Sequence, residues 1–261
     1  MIFTNGFLAR PDEYRGSLIE THQGQLLQNI EVPIRALLVS GDTLWALGEF
    51  DLFEMSLTGE MKGTYNFEPT GNPVWAAQAM ALVGDTMVIS RGYGGIIGMD
   101  LNTHAVKWMN AILDDGIPAG LAHNGNNVYV AMATSRQDGF TGVALLNPAN
   151  GEILRKTPYN VARSGVISPD AIAAWDNGRF IMNNGGWIHM LTQAQLSSER
   201  SARARWVAEV IPAQDPVTRH YMMLKGGLFV ENNQVIGCGV YMVHREGNYV
   251  HASRLFRVTL P

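Results

Sequence analysis

The chain has 261 residues, a formal net charge of -4 and 16% charged residues, against roughly 25% in ordinary soluble domains. The negative balance argues against a general nucleic-acid binder, which needs a basic surface to displace phosphate counterions. The single cysteine, Cys238, excludes an internal disulfide framework, and no run of about 18 apolar residues is present to span a membrane. We therefore expect one domain, residues 1–261, without nucleic acid and without membrane insertion.

The first 35 residues predict a sheet that lacks one strand. Residues 2–7, 17–21 and 26–30 form three strand-like runs, and Gln23-Gly24 supplies a turn between the last two. An innermost strand is missing from this set. The first 14 residues also lack the basic start and long apolar centre of a signal peptide, so we expect a cytoplasmic protein as synthesised, or a part of an assembled particle.

Residues 37–67 contain the unit that the rest of the chain repeats. Apolar runs at 37–39, 44–47, 52–57 and 61–67 alternate with turn residues, notably Gly41-Asp42 and Thr58-Gly59, which tolerate the backbone angles of tight hairpins. Four short antiparallel strands are therefore predicted. The same pattern returns from residues 80 and 121 and, more loosely, from 171 and 227.

Two independent markers place these copies in one register. The first residues after the first turn are separated by 43, 41, 52 and 55 positions; they are Leu44, Met87, Val128, Phe180 and Val235. A small polar residue ends each third strand: Ser56, Asp100, Asn147, Thr192 and Thr259. Repeats in the low forties with four strands predict an all-β fold, a β-propeller of four-stranded antiparallel blades.

We predict six blades, with five or seven as alternatives. The C-terminal copy lacks an outermost strand, and the N-terminal segment lacks an innermost one. Propellers commonly close by letting the two termini share a blade, which protects sheet edges that otherwise pair with other chains. We therefore expect the termini of this chain to share the closing blade.

The corners between outer strands resemble those of the quinoprotein-like propellers, whose PQQ-repeat-like blades carry Asp or Asn, then Thr-Gly or Asn-Gly, then Trp. Residues 56–59, 100–108 and 147–151 fit that corner, although Gly59 and Gly151 lack the following tryptophan and His104 replaces the glycine before Trp108. The resemblance implies the propeller fold. Enzymes of that group also carry a vicinal cysteine pair, which a chain with one cysteine lacks, so we expect no cofactor.

Loop lengths assign the functional face. The turns between first and second strands and between third and fourth strands are short, and they lie on one face of a propeller. The other face receives the long loops, at 67–74, 110–119, 134–141, 159–170, 211–224 and 244–251. Long loops on a rigid scaffold usually carry the binding residues. We expect any function on this long-loop face.

The innermost strands enter from the long-loop face, so the residue before each strand should ring the mouth of the central channel. Those residues are Arg35, Gln78, Ala119, Asp170 and Lys225. Such a ring could bind a small polar ligand or a partner protein. The plainer alternative is a solvated mouth in which Asp170 pairs with Arg35 or Lys225.

No motif indicates catalysis or metal binding. The seven histidines show no metal-ligand spacing, and no serine lies in a G-x-S-x-G elbow. Asp114-Asp115-Gly116 resembles the start of a calcium loop, but the alternating ligands that such a loop needs are missing. We therefore predict no catalytic residue and no metal ligand.

Composition favours a surface that is covered by other proteins. Arginine supplies 15 of the 19 basic residues, and there are 13 methionines, as in interfaces that are depleted in lysine. Genomic bias, with methionine as core filler, is the alternative explanation. The favoured interpretation is a non-catalytic structural or protein-interaction subunit of a larger assembly, for example a virion or a secretion particle, with other protein subunits as partners. The alternative is a small-molecule-binding protein or a hydrolytic or quinoprotein-like enzyme with its site at the channel mouth.

Overall fold

The computed structural model describes residues 2–8, 14–21, 23–67, 77–92, 95–110, 117–133, 140–160, 169–176, 178–184, 187–197, 202–203, 205–209, 222–223, 228–245 and 248–260. These residues form sheets of mostly antiparallel strands and one helix of a single turn. The N-terminal sheet contains β1 (Ile2–Leu8), β2 (Tyr14–Thr21) and β3 (Leu26–Ile30). Five further sheets follow in chain order and are named blades 1 to 5.

Blade 1 contains β4 (Ala36–Ser40), β5 (Thr43–Leu47), β6 (Asp51–Ser56) and β7 (Met61–Asn66). Blade 2 contains β8 (Ala79–Val83), β9 (Thr86–Ser90), β10 (Ile96–Asp100) and β11 (Ala105–Asn110). Blade 3 contains β12 (Ile117–His123), β13 (Val128–Ala133), β14 (Gly142–Leu146) and β15 (Ile153–Asn160).

Blade 4 contains β16 (Pro169–Ala174), β17 (Arg179–Asn184), β18 (Trp187–Thr192) and β20 (Arg205–Glu209). The helix α1 (Gln193–Leu196) and the strand β19 (Ala202–Arg203) lie between β18 and β20 in the chain, and β19 pairs in parallel with β15 of blade 3. Blade 5 contains β21 (Met222–Met223), β22 (Leu228–Glu231), β23 (Gln234–Arg245) and β24 (Asn248–Thr259).

The predicted fold class is confirmed: the structure is an all-β propeller with five blades, the count named as an alternative to six. Within blades 1 to 4 the antiparallel strands are neighbours in chain order, so the inner strand comes first and the outer strand last. The sharing of a blade by the two termini stays a prediction. Among the described strands, β1–β3 and β21–β24 hydrogen-bond in separate sheets.

The cores lie between neighbouring sheets. Ile19 of the N-terminal sheet packs in one cluster with Leu44 of blade 1, and successive clusters join blades 1 and 2, 2 and 3, 3 and 4, and 4 and 5. Between blades 3 and 4, for example, the ring centroids of Tyr129 and Phe180 are 4.2 Å apart. Each blade therefore buries both of its faces only when its two neighbours are present.

The N-terminal sheet corresponds to the second, third and outer strands of a blade. The third and outer strands of blades 1, 2 and 3 are joined through a bulge with one extra outer residue, and β2 and β3 share a bulge at the same place, at Leu27. In blades 2 and 3 the second strand contacts the inner strand of the following blade, β9 with β12 and β13 with β16. Strand β1 contacts β4 in the same way, so β1 holds the position of a second strand. The expectation that residues 1–35 lack an innermost strand is confirmed for the described residues.

Blade 5 has the opposite deficiency. Strand β24 pairs along the whole of one edge of β23, so β21 and β22 share the other edge at different stretches. The blade is therefore three strand positions wide in the described residues, with β22 as the inner strand. The predicted lack of an outermost strand is confirmed there.

The outer strands of the N-terminal sheet and of blades 1, 2 and 3 contact the following sheet at its corner, and we call these contacts latches. Gln28 Nε2 donates to the Gly59 carbonyl oxygen (3.2 Å), and the Tyr65 ring stacks on His104 with centroids 3.7 Å apart. Trp108 Nε1 donates to the Pro148 carbonyl oxygen (2.8 Å). The Trp108 indole thus packs between blades 2 and 3.

The fourth blade departs from the short corner turn that we predicted. Instead of a turn, Thr192 caps α1: its hydroxyl accepts from the Gln195 N–H, and the Gln195 side chain reaches back to the Thr192 N–H. The latch survives, because Thr157 Oγ1 donates to the Leu196 carbonyl oxygen at 2.8 Å. The small polar residue at the end of the third strand therefore has a second use, as a helix cap.

Candidate functional site

The long-loop ends of the inner strands bring the predicted mouth residues into equivalent positions. Arg35 and Gln78 each precede an inner strand by one residue. Arg35 donates its backbone N–H to the carbonyl oxygen of Leu47 (2.7 Å), which pairs with the first residue of β4. The Gln78 backbone N–H likewise donates to the carbonyl oxygen of Ser90 (2.9 Å), which pairs with the first residue of β8. The two hydrogen bonds show that blades 1 and 2 begin in the same way.

Blades 3 and 4 hold the corresponding residues within a bulge. Ala119 lies between paired Pro118 and Gly120 in β12, and Asp170 lies between paired residues of β16 in the same manner. The predicted register is thus reproduced by four of the five residues. Lys225 lies outside the described residues, as does the side chain of Asp170.

A small residue follows each of these four positions, where neighbouring inner strands approach one another. A Cβ atom added to Gly120 of blade 3 would lie 2.9 Å from the Ala171 Cα atom of blade 4, closer than ordinary contact allows. A larger side chain would therefore force the two strands apart. The equivalent residues are Ala36, Ala79, Gly120 and Ala171.

The Arg35 guanidinium forms an ion pair within its own blade. Its Nη2 atom binds Oε1 of Glu49, in the turn between β5 and β6, and both side chains are about one-third exposed. Arg35 Nε is buried and has no hydrogen-bond partner among the described groups. Among the described residues the carboxylate partner of Arg35 is Glu49, which the sequence analysis did not name. The alternative in which Asp170 pairs with Arg35 or Lys225 falls on side chains outside the described residues.

In blade 2 an uncharged side chain, the Gln78 amide, lies at the position of the Arg35 guanidinium. Gln78 Nε2 lies over Gly92, 3.0 Å from where a Cβ atom would be, and Gly92 belongs to the turn that corresponds to the Glu49 turn. Beside it, the Ser90 hydroxyl accepts from the Ala79 N–H (3.1 Å) and fixes the start of β8. Arg91 is only 3% exposed. An exposed amide thus takes the place of the ion pair of blade 1.

The four predicted mouth positions therefore carry different chemistry in equivalent strand register: an ion pair, an amide, a methyl group and the backbone of an aspartate. Within the described ranges, no three His, Cys, Asp or Glu side chains come close enough together to hold a metal ion. None of the helices in the described part of the chain has the length and apolarity to cross a membrane. The arrangement suits contact with a polar or protein surface through dissimilar groups.

Comparison with known proteins connects this chain to a fold. No family model and no curated protein matches the sequence. Among solved structures, BamB from Moraxella catarrhalis is similar at a TM-score of 0.50 with 14% identity, over 92% of this chain and 73% of that one. The computationally designed Ika8 protein is similar at 0.47 and 12% identity over 92% and 80% of the two chains. The Pan2 WD40 domain of Neurospora crassa is similar at 0.46 and 10%, over 85% and 79%.

The class that the strand topology and the BamB likeness define is the β-propeller. At 14% identity the likeness shows the fold alone. Function must therefore be argued from the residues of this chain.

Proposed function

We propose that this protein is a non-catalytic β-propeller that serves as a structural or protein-interaction subunit of a larger assembly, for example a virion or a secretion particle. The observation that carries the proposal is the set of unlike groups at equivalent mouth positions. The Arg35–Glu49 pair, the Gln78 amide and the Ala119 methyl group occupy corresponding places in three blades. A partner protein with one orientation can use such an asymmetric set, because each group then meets a different neighbour.

The outer rim of the propeller supports this choice of face. Lys62 and Lys107 are the extra residues of the bulges in β7 and β11, the edge strands of blades 1 and 2. Lysine and bulges on edge strands oppose pairing with other chains. The rim of these blades is thereby protected from strand addition, which leaves the mouth face for specific contacts.

Composition supports the same proposal. With 15 arginines against 4 lysines, the basic residues are those enriched in protein interfaces, and two of the lysines are accounted for by the protected rim. The mouth itself carries a partly exposed arginine, Arg35. Other protein subunits are therefore the proposed partners.

We also propose that the blades of this protein share the corner architecture of quinoprotein-like blades, without their activity. Its support is the corner of blade 3, where the Trp108 indole lies against Gly151 and Asn110 Nδ2 donates to the Gly151 carbonyl oxygen at 2.9 Å. Tyr65 and His104 make the equivalent contact between blades 1 and 2. By the strand register Gly63 corresponds to Trp108 and Tyr65 to Asn110. The triple variant Gly63→Trp, Tyr65→Asn and His104→Gly should therefore leave this corner folded if the blades are of that kind.

The decisive measurement is the mass of the complex that carries this chain in gentle native extract, with every component identified. The expected result is a particle of defined composition much larger than the 28.6 kDa chain. A free chain of 28.6 kDa would contradict the proposal and direct attention to a ligand at the channel mouth.

A matched pair of variants maps the interface. Gln78→Arg changes an exposed residue at the mouth, and Asp85→Arg changes an exposed residue of the same blade at the opposite, short-turn face. We expect Gln78→Arg to release the chain from the particle and Asp85→Arg to leave it bound. The reverse pattern would show that the other face makes the contact.

A further inference from the structure

The turn between β12 and β13 of blade 3 carries the further inference. Residues 124–127 join the two strands, and the turn begins with Asn124 followed by Gly125. The side-chain amide of an asparagine can be attacked by the backbone nitrogen of the next residue, which closes a succinimide ring and releases ammonia. Glycine hinders this attack least, and nothing lies within 4 Å of the place where a Gly125 Cβ atom would be.

A base contacts the nucleophile of this reaction. A backbone amide is a poor nucleophile while it holds its proton, so the attack needs a group that takes the proton. The Gly125 N–H donates to His123 Nδ1 at 3.2 Å, so this imidazole nitrogen carries no proton and can accept one. Partial desolvation also lowers the pKa of His123 below its usual value of 6.5, which keeps the imidazole neutral at pH 7.

Two backbone donors hold the side-chain oxygen of Asn124. Attack at Cγ places negative charge on Oδ1, and donors aimed at that atom stabilise the charged intermediate. Asn124 Oδ1 accepts from the N–H groups of Asn126 (3.3 Å) and Asn127 (3.1 Å). The Asn124 Nδ2 group donates to the Tyr129 hydroxyl oxygen at 3.1 Å, and this hydrogen bond fixes the orientation of the amide.

A second Asn-Gly pair in the same blade, Asn150-Gly151 in the corner turn, differs in these features. The Gly151 N–H donates to the Asn147 carbonyl oxygen at 2.9 Å, and a carbonyl oxygen is too weak a base to take the proton. Asn150 Oδ1 accepts from the backbone N–H of Glu152 at 3.0 Å. The Trp108 indole also covers Gly151. We therefore expect the two pairs to react at different rates.

We propose that Asn124 is a self-modification site, at which the Gly125 nitrogen attacks the side-chain amide with His123 as the base. The bond from the Gly125 nitrogen to Asn124 Cγ forms as the proton passes to His123 Nδ1. The Cγ–Nδ2 bond then breaks, and Nδ2 takes up that proton and leaves as ammonia, so the ring closes without another reactant. Water then opens the succinimide to aspartate or isoaspartate. The site is independent of the proposed assembly role.

The reaction changes the charge of the short-turn face. The corresponding turns of blades 1 and 2 each carry an exposed carboxylate, Asp42 and Asp85, whereas the turn of blade 3 carries asparagine amides. An aspartate at position 124 gives blade 3 the same kind of charge. Isoaspartate also adds one carbon to the backbone between β12 and β13. Either product therefore alters the surface that this face presents.

The test incubates the full chain at neutral pH and follows both Asn-Gly peptides by mass spectrometry. We expect Asn124 to lose ammonia at least about tenfold faster than Asn150, because a positioned base contributes on the order of 10²–10⁴ in rate. In urea both turns lose their structure, so the rate at Asn124 should fall and the two rates should converge. Equal rates in the folded chain, or a rate at Asn124 that does not fall in urea, would overturn the proposal.

A variant of His123 separates proton transfer from the geometry of the turn. His123→Gln keeps an oxygen that can accept from the Gly125 N–H but provides no base, so Asn124 should react at least about tenfold more slowly. His123 is exposed, so the variant is expected to fold, and the rate at Asn150 reports any opening of the blade. The matched control, His104→Gln in blade 2, should leave both rates unchanged. An unchanged rate at Asn124 in His123→Gln, or an equal loss in both variants, would contradict the role of His123 as the base.

Discussion

Trp108 of blade 2 packs its indole against Gly151 of blade 3, and a Cβ atom at Gly151 would overlap the ring. The indole N–H donates to the Pro148 carbonyl oxygen of the same turn at 2.8 Å. Gly151 also has a positive φ of 74°. The turn thus needs glycine for two separate reasons, its backbone angle and the ring above it.

Gly151→Ala should separate these two reasons. We expect it to lower the free energy of unfolding by about 2–4 kcal/mol, from left-handed strain plus displacement of the indole. Gly125→Ala is the control, because Gly125 also has a positive φ, 95°, but nothing lies within 4 Å of its added Cβ; it should cost about 1 kcal/mol. Urea unfolding measures both. Equal losses would show that the indole contributes nothing to the requirement for glycine.

His104 occupies the equivalent turn of blade 2 with a positive φ of 55° and stacks on Tyr65. We expect His104→Gly to change stability little in the natural chain, because relief of strain offsets the loss of about 1 kcal/mol of stacking. In a Tyr65→Ala background the stacking is already lost. There the same substitution should stabilise by about 0.5–1 kcal/mol. An identical effect in both backgrounds, measured by a double-mutant cycle, would exclude a contribution from the stacking.

Burial lowers the pKa of His189 from its usual value of 6.5 to about 4. Between these values the unfolded chain binds a proton that the folded chain does not, so stability falls as the pH falls from 6.5 towards 4. Above pH 7 the effect is absent. His189→Met should reduce the difference in unfolding free energy between pH 7 and pH 5 by about 2 kcal/mol, because the other titrating groups are unchanged. An unchanged difference in urea titrations would contradict the buried neutral state.

The lysines on the edge strands should oppose self-association. Replacing Lys62 and Lys107 together by valine makes two bulged edges apolar, and we expect the mass measured by light scattering to increase with protein concentration. The double Lys→Arg variant keeps the charge and should behave as the natural chain does. Unchanged mass in the valine variant would mean that the bulges alone protect the rim.

Much of the fold could be predicted because its local elements repeat. Gly41 and Gly84, with φ of 57° and 56°, close the first turns of blades 1 and 2, and the apolar runs on either side supply the strands. The number of blades could not be fixed, because α1 and β19 interrupt the corner of blade 4 and β23 extends past β22 to pair with β21. These additions lengthen the last repeats and hide their period.

The strand register of the candidate site could be predicted from the repeat, whereas the hydrogen-bond partners of its residues could not, and its place at the channel mouth stays a prediction. Counting along the repeat placed Arg35 and Gln78 correctly at the starts of inner strands. The partner of Arg35 depends on the course of the turn after β5, which brings Glu49 level with it. The apolar pattern carries no information on the course of that turn. The acidic residue shortly after a second strand was the only available indication.

The latches all run in one direction along the chain, and this has a consequence for synthesis on the ribosome. Gln28 and Asn110 bond to corner turns 31 and 41 residues further on, and Thr157 bonds to the last residue of α1, 39 residues further on. Most of the following sheet must therefore be synthesised before the outer strand of a newly emerged sheet can form its latch. Because synthesis proceeds at about 5–20 residues per second, the outer strand of each sheet lacks its latch for a time on the order of seconds. Nascent chains from which residues 148–151 have not yet emerged should leave β11 accessible to protease. Chains from which these residues have emerged should protect it.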